Sequence, residues 1–160
     1  MAFWHMALAE LIPNVGYTGA SIAGLEVPGV NVGVARYSKD SGFTFFTLGK
    51  NINAWGYGAF LVYLQQGIVV LGFGKVDGTD SWNVPGAVLT PAAAYRIDKK
   101  LDDGVPSKGG VMSDHGRDVG NNNQCLDYDK SAINYLATDE PVSYRLDSSD
   151  VTCRLMFRMY

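Results

Sequence analysis

The 160-residue chain carries little charge and concentrates none of it. Charged residues make up 18%, the formal net charge is −3, and no run of lysines or arginines occurs. With a pI near 5.2, it offers phosphates no broad basic surface, which argues against a nucleic-acid binder. Long apolar runs are missing too. The longest, Ala59–Phe73, is interrupted by Gln65-Gln66-Gly67, whereas a membrane-spanning helix needs about 20 predominantly apolar residues. No basic residue precedes the first apolar stretch, so that stretch does not read as a secretory signal. Only two cysteines and two histidines are present, with no Cys-x-x-Cys pair, and a zinc site lacks ligands at usable spacing. Also absent are a Gly-x-Ser-x-Gly nucleophile turn, a phosphate loop and a dinucleotide fingerprint.

What remains is a foldable domain. The hydrophobic fraction of 47% excludes an intrinsically disordered chain, and the length suits one domain around a single core. Glycine is abundant, 19 residues of 160 against a usual share of roughly 7%, which favours strands and tight loops over a helical bundle. Residues 1–80 hold 13 of those glycines but only 9 of the 29 charged residues. The first half therefore reads as sheet core and the second as a more solvated cap.

The local patterns are uneven. Trp4, Leu8, Leu11 and Ile12 fall at i, i+4, i+7 and i+8, one face of a helix that Pro13 and Gly16 close. Phe3 and Met6 lie on the opposite side, beside Glu10. No Ser, Thr, Asp or Asn precedes Phe3, so the start is uncapped. Two readings follow: the tail of a longer helix, or a frayed terminal helix on a complete domain. Strands are expected at Val32–Tyr37 and Phe43–Leu48 around the loop Ser38–Gly42, and as a hairpin of Phe60–Leu64 with Ile68–Phe73. Asp77–Asp80 reads as a turn. The best-specified element starts at Thr90, an N-cap followed by Pro91 at the first helical position. Its expected buried stripe is Ala94, Ile97 and Leu101, with Gly104 as a left-handed terminator and Pro106 preventing continuation. A short strand at Val111–Met112 and two last strands, Val142–Leu146 and Thr152–Tyr160, complete the pattern. In the last, Leu155, Phe157 and Met159 alternate with Arg154, Met156 and Arg158, as in a half-solvated strand.

Candidate chemistry is sparse. Cys125 and Cys153 enclose 27 residues. A disulfide there would contribute on the order of 3–4 kcal/mol by restricting the unfolded chain and would imply an oxidising compartment. Two free buried thiols are the alternative. Asp114 and His115 are neighbours, but adjacency in sequence does not aim a carboxylate at an imidazole, and no cofactor is expected. Asp102-Asp103, Asp127/Asp129 and Asp147/Asp150 are oxygen-rich and suit a hard cation such as calcium, yet none has EF-hand spacing and a solvated turn is the simpler reading of each. Asp102 and Asp103 sit where the helix dipole disfavours acid, so Lys99, Lys100 or backbone donors after Gly104 are expected to offset them. Trp55, Tyr57 and Trp82 lie in glycine- or turn-rich segments. They are either a contact surface or a lid folded over the sheet.

One stretch carries a resemblance. Ala94, Ile97, Asp98, Lys100, Asp102, Asp103, Gly104, Pro106 and Gly109 form the pattern Ala-x-x-Ile-Asp-x-Lys-x-Asp-Asp-Gly-x-Pro-x-x-Gly. With the opening FWHMALAELIPNVGYTG and the Cys-to-Cys segment closing on CRLMFRMY, this resembles the globular domain of type IV pilin-like proteins, the minor pilins and pseudopilins of type II secretion. The match is best at 89–112, weaker at 3–19, and by pattern alone at 125–160. The family's leader, its cleavage-site glycine, the Glu five residues into the mature chain and the apolar helix have no counterpart here. The resemblance implies a soluble truncation with Met1 as an engineered start.

What the resemblance implies is a single α+β domain over 1–160: the end of a long N-terminal helix (1–12) on an antiparallel sheet, a short second helix, and a disulfide-bounded loop at 125–153 similar to the pilin D-region. Trp4, Leu8, Leu11 and Ile12 would dock the helix, while Phe3 and Met6 would meet a neighbouring subunit together with Trp55, Tyr57 and Trp82. The expected role is a non-enzymatic filament subunit of the bacterial cell envelope. It would pass from inner membrane and periplasm to a surface filament, with other pilin or pseudopilin subunits and the assembly machinery as partners, reaching the membrane only through the absent helix. The alternatives are an adhesin-like tip subunit binding a surface ligand or glycan, and a secreted hydrolase built on Asp114/His115 or an acidic pair.

Overall fold

A computed structural model describes residues 2–18, 27–47, 69–76, 86–119, 124–127 and 142–159. The described chain runs helix α1 (Ala2–Leu8), strands β1 (Gly33–Val34), β2 (Ser41–Thr47) and β3 (Val69–Lys75), helix α2 (Pro91–Leu101), β4 (Val111–His115), a 3-10 turn (Arg117–Val119), β5 (Leu126–Asp127), β6 (Ser143–Tyr144) and β7 (Cys153–Met159). Five strands form one antiparallel sheet in the order β1-β2-β3-β7-β4, and β5 and β6 form a separate pair. The fold is thus α+β, with an antiparallel sheet, a disulfide and, among the described residues, two α-helices.

The last strand is interior. β7 lies between β3 and β4, so both of its edges are paired, and its first four residues are buried on both faces, so the half-solvated pattern expected for it does not hold there. Arg154, Leu155 and Met156 are all fully buried. The register puts Phe43, Phe73, Leu155, Phe157 and Val111 on one face. That face makes the main core with Leu89, Ala94, Leu126, Val142 and Tyr144. Phe43 and Phe73 stack with centroids 5.0 Å apart, adding to the area they remove from water. The opposite face carries Val70, Met112 and Met156, also fully buried. Over Val69–Phe73 the two edges of β3 are taken by β2 and β7 rather than by the strand expected at 60–64. Residues 60–64 lie outside the described residues, as do the turn at 77–80 and Trp55, Tyr57 and Trp82.

Helix α1 corrects the expected docking face. It ends at Leu8 because Glu10 takes a left-handed conformation, φ 59°. The Leu11 N–H donates to the Met6 carbonyl at 2.9 Å and the Glu10 N–H to the Ala7 carbonyl at 3.1 Å, the hydrogen-bond pair of a Schellman stop. Leu11 and Ile12 are therefore past the helix and off its face. Leu8 is 61% and Leu11 73% exposed, while Ala7 is buried. Phe3, expected on the outward side, faces the sheet. Its ring lies 5.3 Å from Phe45 and 5.9 Å from Tyr17, over Gly33, where a Cβ would stand 2.5 Å from the ring. Trp4, Met6 and Ile12 are half-buried.

Gly116, just after β4, shows how tightly the connection into α2 is seated. Its N–H donates to the Thr152 carbonyl at 2.9 Å, and a Cβ there would overlap the Ala87 backbone nitrogen. The Ala87 N–H itself donates to Asp118 Oδ1 at 2.7 Å. Backbone cannot swing aside as a side-chain tip can, so Gly116→Ala is expected to lower unfolding free energy by about 1–3 kcal/mol, measured by urea melts against the native chain.

Candidate functional site

Two groups of ionisable side chains are built into the fold, and both differ from what their sequence positions suggested. The first lies at the end of α2. The Thr90 hydroxyl accepts from the Ala93 N–H at 3.2 Å, and Pro91 opens the helix, as the capping pattern requires. The buried stripe, however, is Pro91, Ala94 and Asp98, one position away from the expected Ala94, Ile97 and Leu101. Ala94 belongs to both stripes, Ile97 packs against the core, and Leu101 is 62% exposed. Asp98 is fully buried in Leu101's stead.

Asp98 earns that position through two donors. Its Oδ2 accepts from the Tyr144 hydroxyl on β6 at 2.8 Å, and its Oδ1 from the Gly104 N–H at 3.0 Å. Gly104 is left-handed, φ +80°, which lets the chain turn its N–H back toward the helix. Asp102 then ties the loop to β4, its Oδ2 accepting from Gly110 N–H at 2.6 Å and Val111 N–H at 3.2 Å. Asp103 Oδ1 accepts from Val105 N–H at 2.7 Å, and Lys99 Nζ donates to the Asp103 carbonyl at 3.3 Å. These backbone donors offset the dipole mismatch of two acids at a helix C-terminus. The left-handed Gly109 packs on the Asp102 carboxylate so closely that a Cβ would overlap it.

One carboxylate oxygen from each of Asp98, Asp102 and Asp103 lies within 4.8 Å of the others. Three oxygens at such separations are chemically able to hold a hard cation, although each carboxylate already accepts from the chain. Among the described residues Asp127 stands apart from this group, exposed on β5, and Asp129 lies outside them. Burial is the main force pushing the Asp98 carboxyl above its ordinary value near 3.8; the Asp103 and Asp102 charges add to it, against the lowering effect of the Tyr144 and Gly104 hydrogen bonds. The Tyr144 hydroxyl is likewise pushed up, by burial and then by Asp98.

The second group joins β4 to β7. Asp114 and Arg154 are register partners, with Arg154 Nη2 3.5 Å from Asp114 Oδ2. His115 Nδ1 is 2.9 Å from Asp114 Oδ1, which also accepts the His115 backbone N–H at 2.8 Å. The carboxylate thus lies against the imidazole, but His115 Nδ1 makes no hydrogen bond with it. All three side chains are buried, Arg154 completely. What the Asp114–Arg154 pair does is balance charge inside the sheet, with the imidazole packed against the carboxylate. Sequence reasoning placed Arg154 on a solvated face. Its partner lies 40 positions earlier, and the local pattern holds no sign of the pairing.

The remaining sequence-based candidates fall out simply. Cys125 and Cys153 form a disulfide with both residues fully buried. Ser113 Oγ lies 3.4 Å from Cys125 Sγ and donates to the Arg154 carbonyl at 3.0 Å. Asp147 pairs loosely with Arg145, 3.8 Å, at the surface. Among the described residues no helix is long and apolar enough to cross a membrane. Comparison with protein-family models, curated proteins and solved structures finds no match.

Two outcomes test these groups. A carboxyl raised on folding stabilises the fold fully below its unfolded value, and that contribution is lost as pH rises through the folded value. Urea melts from about pH 4 to about pH 7 should therefore show an Asp98 component that falls with pH, and Asp98→Asn should remove that slope. Arg154→Met leaves Asp114 buried without its guanidinium and should cost about 3–5 kcal/mol. The double variant Asp114→Asn/Arg154→Met should recover part of that loss in the same melts.

Proposed function

We propose that this chain is the globular part of a type IV pilin-like filament subunit, a pilin or a type II secretion pseudopilin, with a structural rather than catalytic role. The pattern from Ala94 to Gly109 carries the reading, because its unusual letters have separate physical jobs. Asp98 ties the helix end to Gly104 and to Tyr144. Asp102 ties the loop to Gly110 and Val111, and Gly104 and Gly109 supply left-handed turns. A resemblance resting on nine residues that together form one helix–loop–strand unit is stronger than one resting on composition. Burial of Asp114 and His115 supports the non-enzymatic reading over a hydrolase.

In this reading α1 is the end of a longer helix whose apolar part holds the subunit in the inner membrane and then packs in the filament. Head-to-tail contacts around a screw axis generate an open filament. The contact residues change from those expected. Phe3 is spent on the sheet, whereas Leu8 and Leu11 are large apolar side chains left in solvent and suit a neighbouring subunit. The disulfide fits maturation in the periplasm.

Immunogold electron microscopy with antibody raised against residues 86–119 tests the proposal in cells producing the full-length protein. Gold along sheared surface or envelope filaments is expected, and its loss with Leu8→Asp/Leu11→Asp, while that exposed pair changes domain stability by no more than about 0.5 kcal/mol each. Antigen found only in a soluble, filament-free fraction would contradict it.

A further inference from the structure

Among the described residues, Glu10 is the one non-glycine position with a left-handed backbone, φ 59°. An L side chain there meets its own carbonyl, so such a conformation persists only where something else holds it. The sequence supplies a later stop: Pro13 is the residue that cannot continue a helix. A longer α1 would keep its backbone hydrogen bonds. The Ala9 N–H already donates to the His5 carbonyl at 3.0 Å. In a continued helix the N–H groups of Glu10, Leu11 and Ile12 would donate to the carbonyls of Met6, Ala7 and Leu8. These would replace the present Glu10-to-Ala7 and Leu11-to-Met6 bonds. Ile12 precedes a proline, where helical backbone is disfavoured, so the longer helix would close at Leu11.

What opposes the longer helix is the direction in which Glu10 would point. Phe3 lies over Gly33 of the sheet, and Ala7 is the buried residue of α1. At 3.6 residues per turn, position 10 of a continued helix falls about 20° from Phe3 around the axis. Glu10 would then turn toward the sheet, and its carboxylate would lose water. The left-handed turn keeps Glu10 exposed instead. It also leaves Leu8 and Leu11 in solvent and takes Leu11 off the helix. In the longer helix Trp4, Leu8 and Leu11 would lie within about 60° of one another, as one apolar stripe.

The chain has slack for the change. An open groove of about 610 Å³ borders Leu8, Glu10, Leu11 and Pro13. Gly16 has φ +106°, and a Cβ there would meet only the Gly29 carbonyl oxygen, at 3.9 Å. Beyond it the chain is anchored. The Tyr17 hydroxyl accepts from the Val34 N–H at 3.2 Å, and the Thr18 N–H donates to the Val30 carbonyl at 3.1 Å. A change in the end of α1 is therefore confined to residues 9–16.

We propose that Glu10 is a charge-held conformational stop. Its carboxylate, kept in solvent by a left-handed turn, holds α1 one turn short of Pro13; without that charge the helix runs on to Leu11 and brings Leu11 into line with Trp4 and Leu8. The two end states differ in the shape of the exposed apolar surface and in nothing beyond residues 9–16. The inference goes beyond the filament reading and does not depend on it.

Two substitutions on the full chain test it, because both remove the carboxylate and only one of them fits the left-handed turn. Alanine and glutamate differ little in helix propensity, whereas glycine accepts positive φ and disfavours a helix interior. Three-bond and residual dipolar couplings measured by NMR read the backbone at positions 9–12. The native chain should show positive φ at position 10. In Glu10→Ala, φ at position 10 should become negative and residues 9–11 helical. In Glu10→Gly the short form should remain, with a long-to-short ratio at least about tenfold below that of Glu10→Ala. Its urea midpoint should also rise above the native one, because the strain at position 10 is gone. A Glu10→Ala chain that keeps positive φ at position 10 would overturn the proposal. So would a Glu10→Gly chain that takes the long helix, or one with no gain in midpoint.

Discussion

The fold depends on Cys153. It opens β7, the strand in the middle of the assembly, and its register partner on β4 is His115. Its carbonyl accepts from the N–H groups of Val88 and Leu89 at 2.9 and 3.0 Å, and its own N–H donates to the Leu89 carbonyl at 2.8 Å. Its sulfur reaches Cys125. One residue therefore joins the sheet, the connection leading into α2 and the small β5–β6 pair. Everything distinctive nearby is arranged around that junction: Ser113 beside the sulfur, Gly116 against Ala87, and the Asp114–Arg154 pair on the next rung.

Much of this was legible in the sequence where the cause is local. The Thr90-Pro91 start of α2 was, because capping and a fixed φ act within four residues. So was the left-handed Gly104, since few other residues accept that conformation. The disulfide is one of the two readings the cysteine pair allows, and an antiparallel α+β domain is the class the resemblance implies. The backbone donors after Gly104 that satisfy Asp102 and Asp103 were anticipated from the dipole mismatch alone.

What was not legible is where a distant partner decides. Asp98 takes a core position because Tyr144, 46 residues later, donates to it, and no helical periodicity contains that fact. Arg154 looks like the outward member of an alternating strand until Asp114 on β4 is seen beside it and that face of β7 is seen to be buried. The α1 face was misread for a different reason. Pro13 and Gly16 are the obvious terminators, but the helix stops earlier, at a glutamate in a conformation that glutamate rarely adopts. A helix shortened by one turn moved Leu11 and Ile12 off the face and left Phe3 and Ala7 to make the contact.

The junction at Cys153 presupposes that the bond between Cys125 and Cys153 exists in the protein as cells make it. Intact mass spectrometry with non-reducing peptide mapping of chain matured in an oxidising compartment decides this directly. The account predicts a mass lighter than the dithiol chain by the two hydrogens lost on bond formation, and one linked peptide pair carrying Cys125 and Cys153. A mass equal to that of the fully reduced chain, with both cysteines open to alkylation after unfolding, would contradict it.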